Sequence, residues 1–84
     1  MKKEIVSFLA SLRTRAASEH TVLNYGRDLE RFETFMDSRG VTLDTVDHLF
    51  IRDFLNFLYK QKMKKSSVSR TVACIRTFFK FLVR

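Results

Sequence analysis

Ser18–Gly40, SEHTVLNYGRDLERFETFMDSRG, carries the start, the face and the stop of one helix. The Ser18 hydroxyl is placed to accept a free backbone N–H of a first turn. Val22, Tyr25, Leu29, Phe32 and Met36 recur at three- and four-residue intervals, which puts them on one helix face. Gly40 follows where a left-handed residue closes a helix. The stretch therefore predicts a helix over about 19–38.

The same spacing recurs on both sides. Ile5, Phe8, Leu9 and Leu12 predict a helix over about 3–14. Ile51, Phe54, Leu55 and Leu58, behind a capping Asp47, predict one over about 48–61. Val68, Val72, Ile75, Phe79 and Leu82 predict one over about 66–83, its cap open among Lys64, Ser66 and Ser67. Val41–Asp47 (VTLDTVD) is β-branched and polar and reads as a connector, with Leu43 and Val46 dipping into the core. Gln61–Lys65 (QKMKK) reads as the next turn. No stretch alternates at period two for long enough to make a strand, and there is no proline. The expected fold is all-α: a compact four-helix bundle, one domain over residues 1–84.

The 84 residues are 45% hydrophobic with nine phenylalanines, so a core forms without metal or disulfide. Cys74 is the single cysteine, which excludes an internal disulfide and fits a reducing cytosol. It falls on an apolar flank and reads as a small buried hydrophobe. No apolar run reaches the length of a membrane span. Glu4, Ser7, Ser11 and Arg13 break any signal-peptide segment at the N-terminus. A cytoplasmic location and no membrane partner are expected.

Charge is uneven along the chain. Residues 60–84 hold eight Lys/Arg and no Asp/Glu, whereas residues 1–59 hold eight Lys/Arg and nine Asp/Glu. The whole excess of +7 thus comes from the C-terminal stretch, which attracts polyanions, nucleic acid first. Turning each helix by 100° per residue sorts the faces. In the second helix, His20, Asn24, Arg27, Arg31 and Thr34 fall on one flank of the stripe and Glu19, Glu30 and Glu33 on the other. In the fourth, Ser66, Ser69, Arg70, Ala73, Thr77, Lys80 and Arg84 fall opposite the stripe. Small side chains there let a helix approach a groove, and Arg and Lys reach phosphates or base edges. Phe78, Phe79 and Phe81 read as core, with Phe78 and Phe81 widening the stripe toward the first helix and Phe81 the one furthest from a partner.

Nothing in the chain makes a catalytic set. His20 and His48 are isolated, Cys74 has no ligand-spaced partner, and no Gly-rich phosphate loop is present. Tyr25 and Tyr59 lack the converging arginines and general acid that a tyrosine nucleophile needs. No cofactor, no metal and no activity of this stretch alone are expected.

Ser18–Met36 resembles the S-x-x-T-x-x-x-Y-x-x-D-L-x-x-F pattern of tyrosine recombinases of the Xer/phage-integrase type. SSVSRTVACIRTFFKFLVR, Ser66–Arg84, is similar to that family's S-[IV]-x-R-x-[LV]-x-x-[IL]-R-x-F-[YF]-x-[FY]-L segment, and DFLNFLYKQ (Asp53–Gln61) fits between them. The resemblance covers nearly the whole chain. It implies an N-terminal core-binding domain of SAM-like fold, one arm of a clamp on a recombination half-site of double-stranded DNA. Its second and fourth helices would cross the major groove. A catalytic domain would follow C-terminally, and other protomers would join in a DNA-bound tetramer. On this view the abrupt stop at Arg84 is a cut near the start of a linker.

Carried over by residue, Thr21 and Asn24 are DNA-contact candidates on the second helix while Tyr25 packs, and the polar flank of the wheel adds His20, Arg27 and Arg31. Around the start of the fourth helix they are Lys64, Lys65, Ser66 and Ser67. Further along it they are Ser69, Arg70, Ala73, Arg76, Thr77 and Lys80. Arg70 points outward, so its truncation is expected to weaken DNA binding and leave stability intact. Arg76 either reaches a phosphate from the edge or braces an acid such as Asp28. Lys64-Lys65 stands where related chains often have Ser-Pro. The alternative function is a protein–protein module using the first helix and the end of the fourth.

Overall fold

Ser18 Oγ accepts the Thr21 backbone N–H at 3.1 Å and so opens the second helix as its sequence requires. The computed structural model describes residues 1–15 and 17–83. Among them are four α-helices: α1 (Lys2–Thr14), α2 (Glu19–Arg39), α3 (His48–Lys60) and α4 (Lys65–Leu82). Every bound lies within one residue of its expected place. Arg84, placed by sequence on the outer face of the fourth helix, lies outside the described residues.

The helix ends use local chemistry. Asp47 Oδ1 accepts the Phe50 N–H at 2.9 Å and caps α3. Gly40, at φ 65°, ends α2: its N–H bonds to Asp37 and the Val41 N–H bonds to Met36. The end of α3 repeats this pattern, with Lys62 N–H bonding to Tyr59 and Met63 N–H to Leu58. There the left-handed residue is Lys62, at φ 60°. Lys64 precedes α4 without a side-chain cap bond, and neither Ser66 nor Ser67 takes the role. The connector holds a 3₁₀ turn, Leu43–Thr45, braced by Thr42 and Thr45 bonding to one another. A three-residue turn has no periodicity to announce it. Leu43 and Val46 are half-buried and pack inward as expected.

Two apolar clusters meet along α2 and α4. The first joins Ile5, Phe8 and Leu12 of α1 to Val22 and Leu29 of α2 and to Cys74 and Phe78 of α4. The second joins Phe32, Phe35 and Met36 of α2 to Phe54 and Leu58 of α3 and Val68 and Ile75 of α4. Early α2 thus shares a cluster with late α4, and late α2 with early α4: the two helices run antiparallel through the whole core. Helix α1 covers one end and α3 the other. Phenylalanines fix the joints edge to face, as in Phe32–Phe54 at 5.0 Å and Phe8–Phe78 at 5.4 Å. Phe81 is half-buried and finds its partner in Phe8, 5.5 Å away. Cys74 is wholly buried, and burial pushes its thiol up to about 12. Gly26 lies where α1 crosses closely: a Cβ there would meet Leu9 Cδ1 at 3.4 Å.

Candidate nucleic-acid interface

Asp28 is fully buried between α2 and α4. A carboxylate there needs a cation, and Arg70 supplies it from α4 with two bonds of 3.1 Å, Nε to Oδ2 and Nη2 to Oδ1. The bond to Asp28 raises the Arg70 guanidinium above its ordinary value. Two sequence expectations change. Arg70 is not a free outward charge but is bonded to a buried acid, so its loss is now expected to cost stability, and the acid suggested for Arg76 belongs to Arg70. The cause is the packing of α4. Both α1 and α2 press on its Cys74 and Phe78 side, so its buried arc is turned toward them, away from the centre at Ile75. That turn carries Arg70 to the α2 edge and leaves Arg76 exposed.

Around this pair lies the polar surface that sequence assigned to the two helices. On α4, Ser66, Ser69 and Ala73 are exposed, and Thr77 is half-buried with its hydroxyl donating to the Ala73 carbonyl at 2.8 Å. Ser67 is half-buried below them, its carbonyl accepting from the buried Thr71 hydroxyl at 2.9 Å. On α2, Asn24 lies one turn before Asp28 and is half-buried. Thr21 is tied to the cap, its Oγ1 accepting from Ser18 Oγ at 2.9 Å, and His20 beside it is exposed. Tyr25 backs this surface. Its ring stacks beside Phe8 and its carbonyl lies 3.7 Å from the Cys74 Sγ, while burial raises its hydroxyl above the usual range.

The cations fall into separate groups. Arg31 reaches the α3–α4 turn, where its Nη1 contacts Met63 Sδ at 3.5 Å. It thereby joins the exposed Lys62, Lys64 and Lys65 at the start of α4. Arg27 sits on the ridge toward the acidic strip and lines shallow grooves together with Glu30. Arg76 and Lys80 lie on the other flank of α4. There they line an open groove of about 690 Å³ together with the apolar residues Val46, Ile51, Phe79 and Val83. The fifteen candidates therefore do not form one patch. The α2–α4 surface takes most of them, and the α3–α4 groove takes Arg76 and Lys80. The sequence suggests Asp28, which bonds Arg70 at the centre of the first surface, only as a possible partner for Arg76. Its signal was a carboxylate only about 60° from the centre of the α2 stripe.

The model of the phage integrase N-terminal SAM-like domain matches residues 5–84. The chain belongs to that family. Among its relatives, proteins named tyrosine recombinase XerC are 35–40% identical to this integrase-type domain. The one from Halalkalibacterium halodurans is 40% identical over 68 residues, 80% of this chain and 22% of that protein. The one from Staphylococcus haemolyticus is 35% identical over 82 residues, 96% of this chain and 28% of its own. The one from Staphylococcus aureus is 36% identical over 76 residues, 89% of this chain and 26% of its own. The SAM-like domain thus spans about a quarter of the length of the curated relatives it matches. No solved structure matches it. Among the described residues, no helix is long and apolar enough to cross a membrane.

Proposed function

We propose that this domain binds double-stranded DNA as the N-terminal arm of a cytoplasmic tyrosine recombinase. It would position a catalytic domain on a recombination half-site. The observation that carries the reading is the acid-free stretch from Lys60 onward, of which Lys62, Lys64 and Lys65 stand exposed around the start of α4 beside Arg31. With no carboxylate there to repel a phosphate, Lys62, Lys64, Lys65 and Arg31 bind the backbone. The small residues Ser66, Ser69 and Ala73 let α4 come close to the groove. The test is a mobility shift on random duplex at rising salt. Affinity is expected to fall by more than tenfold between about 50 and 200 mM salt, as phosphate neutralisation releases counterions. Affinity unchanged over that range overturns the proposal. Replacing both Lys64 and Lys65 with alanine is expected to lower the log–log salt slope by about two.

The α3–α4 groove favours a second, compatible role. Its apolar lining, which includes Val83 at 84% exposure, suits contact with protein more than with phosphate. On this reading the end of α4 meets the recombinase's own catalytic domain or a neighbouring protomer of a DNA-bound tetramer. Sedimentation of the chain at micromolar concentration tests self-contact. A stable dimer without DNA supports the contact between protomers, and a strict monomer with no added contact on DNA removes it.

A further inference from the structure

The Arg70–Asp28 pair leaves part of the guanidinium unused. Both of its bonds run along the Nε–Nη2 edge. The opposite edge, formed by Nη1 and the second Nη2 proton, is left over, and the Arg70 side chain is 41% exposed while that of Asp28 is 1% exposed. A carboxylate fixed in the core therefore holds an arginine fork at one orientation on the α2–α4 surface. Its neighbours on α4 are short: Ser66 one turn before and Ala73 one turn after, both exposed. No bulky side chain of α4 screens the fork on those turns.

We infer that Asp28 is a positioning residue and that Arg70, held by it, reads a guanine through its O6 and N7 acceptors in the major groove. The inference rests on the DNA-binding reading above. Charge selects the base edge over the phosphate. The pair is close to neutral, so it adds little long-range attraction for an anion and no counterion release. It keeps two parallel N–H donors, whose spacing matches neutral planar acceptors such as guanine O6 and N7. The unpaired lysines at the start of α4 remain the better phosphate ligands.

The experiment starts from a pool of random duplexes bound to the 84-residue chain at low salt. The recovered sequences are expected to be enriched in guanine at one position. Placing 7-deazaguanine there, which removes only the N7 acceptor, should weaken wild-type binding roughly fivefold to tenfold. That arm needs no variant and is independent of any folding defect. Arg70→Lys keeps the charge but not the fork, and should lose the guanine preference. Asp28→Asn frees the arginine's charge, and should weaken the preference while steepening the log–log salt slope by about one. A merely structural Asp28 would not steepen that slope. Salt-dependent binding with no guanine preference, or with no response to 7-deazaguanine, overturns this inference and leaves the DNA-binding reading standing. No salt-dependent duplex binding at all overturns both.

Discussion

Asp28 and Arg70 show how one buried charge organises a surface. Removing the arginine leaves a carboxylate in the core without its partner, so Arg70→Ala is expected to cost roughly 2 to 4 kcal/mol of stability. Replacing both members with apolar residues, Asp28→Leu with Arg70→Met, should cost less than the sum of the single changes, because no charge is then stranded. Urea unfolding of Arg70→Ala, of the two single changes and of the double measures this. Cys74 gives a residue-scale prediction for pH. Its thiol moves from an ordinary 9.0 to about 12 in the fold because burial disfavours the thiolate. Above about pH 9 the unfolded chain gains a thiolate that the folded chain refuses, so the unfolded state binds fewer protons. Stability from this group is complete below pH 9 and is lost as pH rises through the folded value. Cys74→Ala should therefore show a smaller drop in urea midpoint between about pH 8 and pH 10.5 than wild type.

The helix ends divide into those with fitted chemistry and those without. The α2 start depends on Ser18, and Ser18→Ala is expected to cost about 1 kcal/mol. The ends of α2 and α3 share one bond pattern, but α2 uses Gly40 and α3 uses Lys62 at nearly the same positive φ. A lysine strains that region and a glycine does not, so Lys62→Gly should stabilise by up to about 1 kcal/mol in thermal melts. At the proposed DNA interface the same lysine would add a charge beside Lys64, which gives a reason for it that stability does not. Ser18, Gly40 and Asp47 were legible because capping is local: a short polar side chain or a missing Cβ acts on the next few residues. The Lys62 turn was placed at QKMKK but not resolved, because no residue type there announces a positive φ.

At the scale of the whole molecule, the core is an antiparallel α2–α4 pair closed at one end by α1 and at the other by α3. Phe54 sits at the α2–α3–α4 joint, fully buried and edge-on to Phe32. Phe54→Ala is expected to cost about 3 to 5 kcal/mol, a large share of the roughly 4 to 12 kcal/mol that a domain of this length holds. Calorimetry should show a melting temperature lowered by well over ten degrees. The sequence by itself determined four helices, the Ser18, Gly40 and Asp47 ends, the apolar stripes and the location of the positive charge, since each depends on neighbours within a turn or on a simple count. It also placed Arg70, Ser66, Ala73 and Asn24 on polar faces. Only the tertiary structure decided how far α4 is turned in the bundle. That turn pairs Arg70 with Asp28, exposes Arg76 over a separate groove and gives Phe81 its contact with Phe8. A helical wheel has no fixed zero. The zero is set by which helices press on which side, and here α1 and α2 set it together.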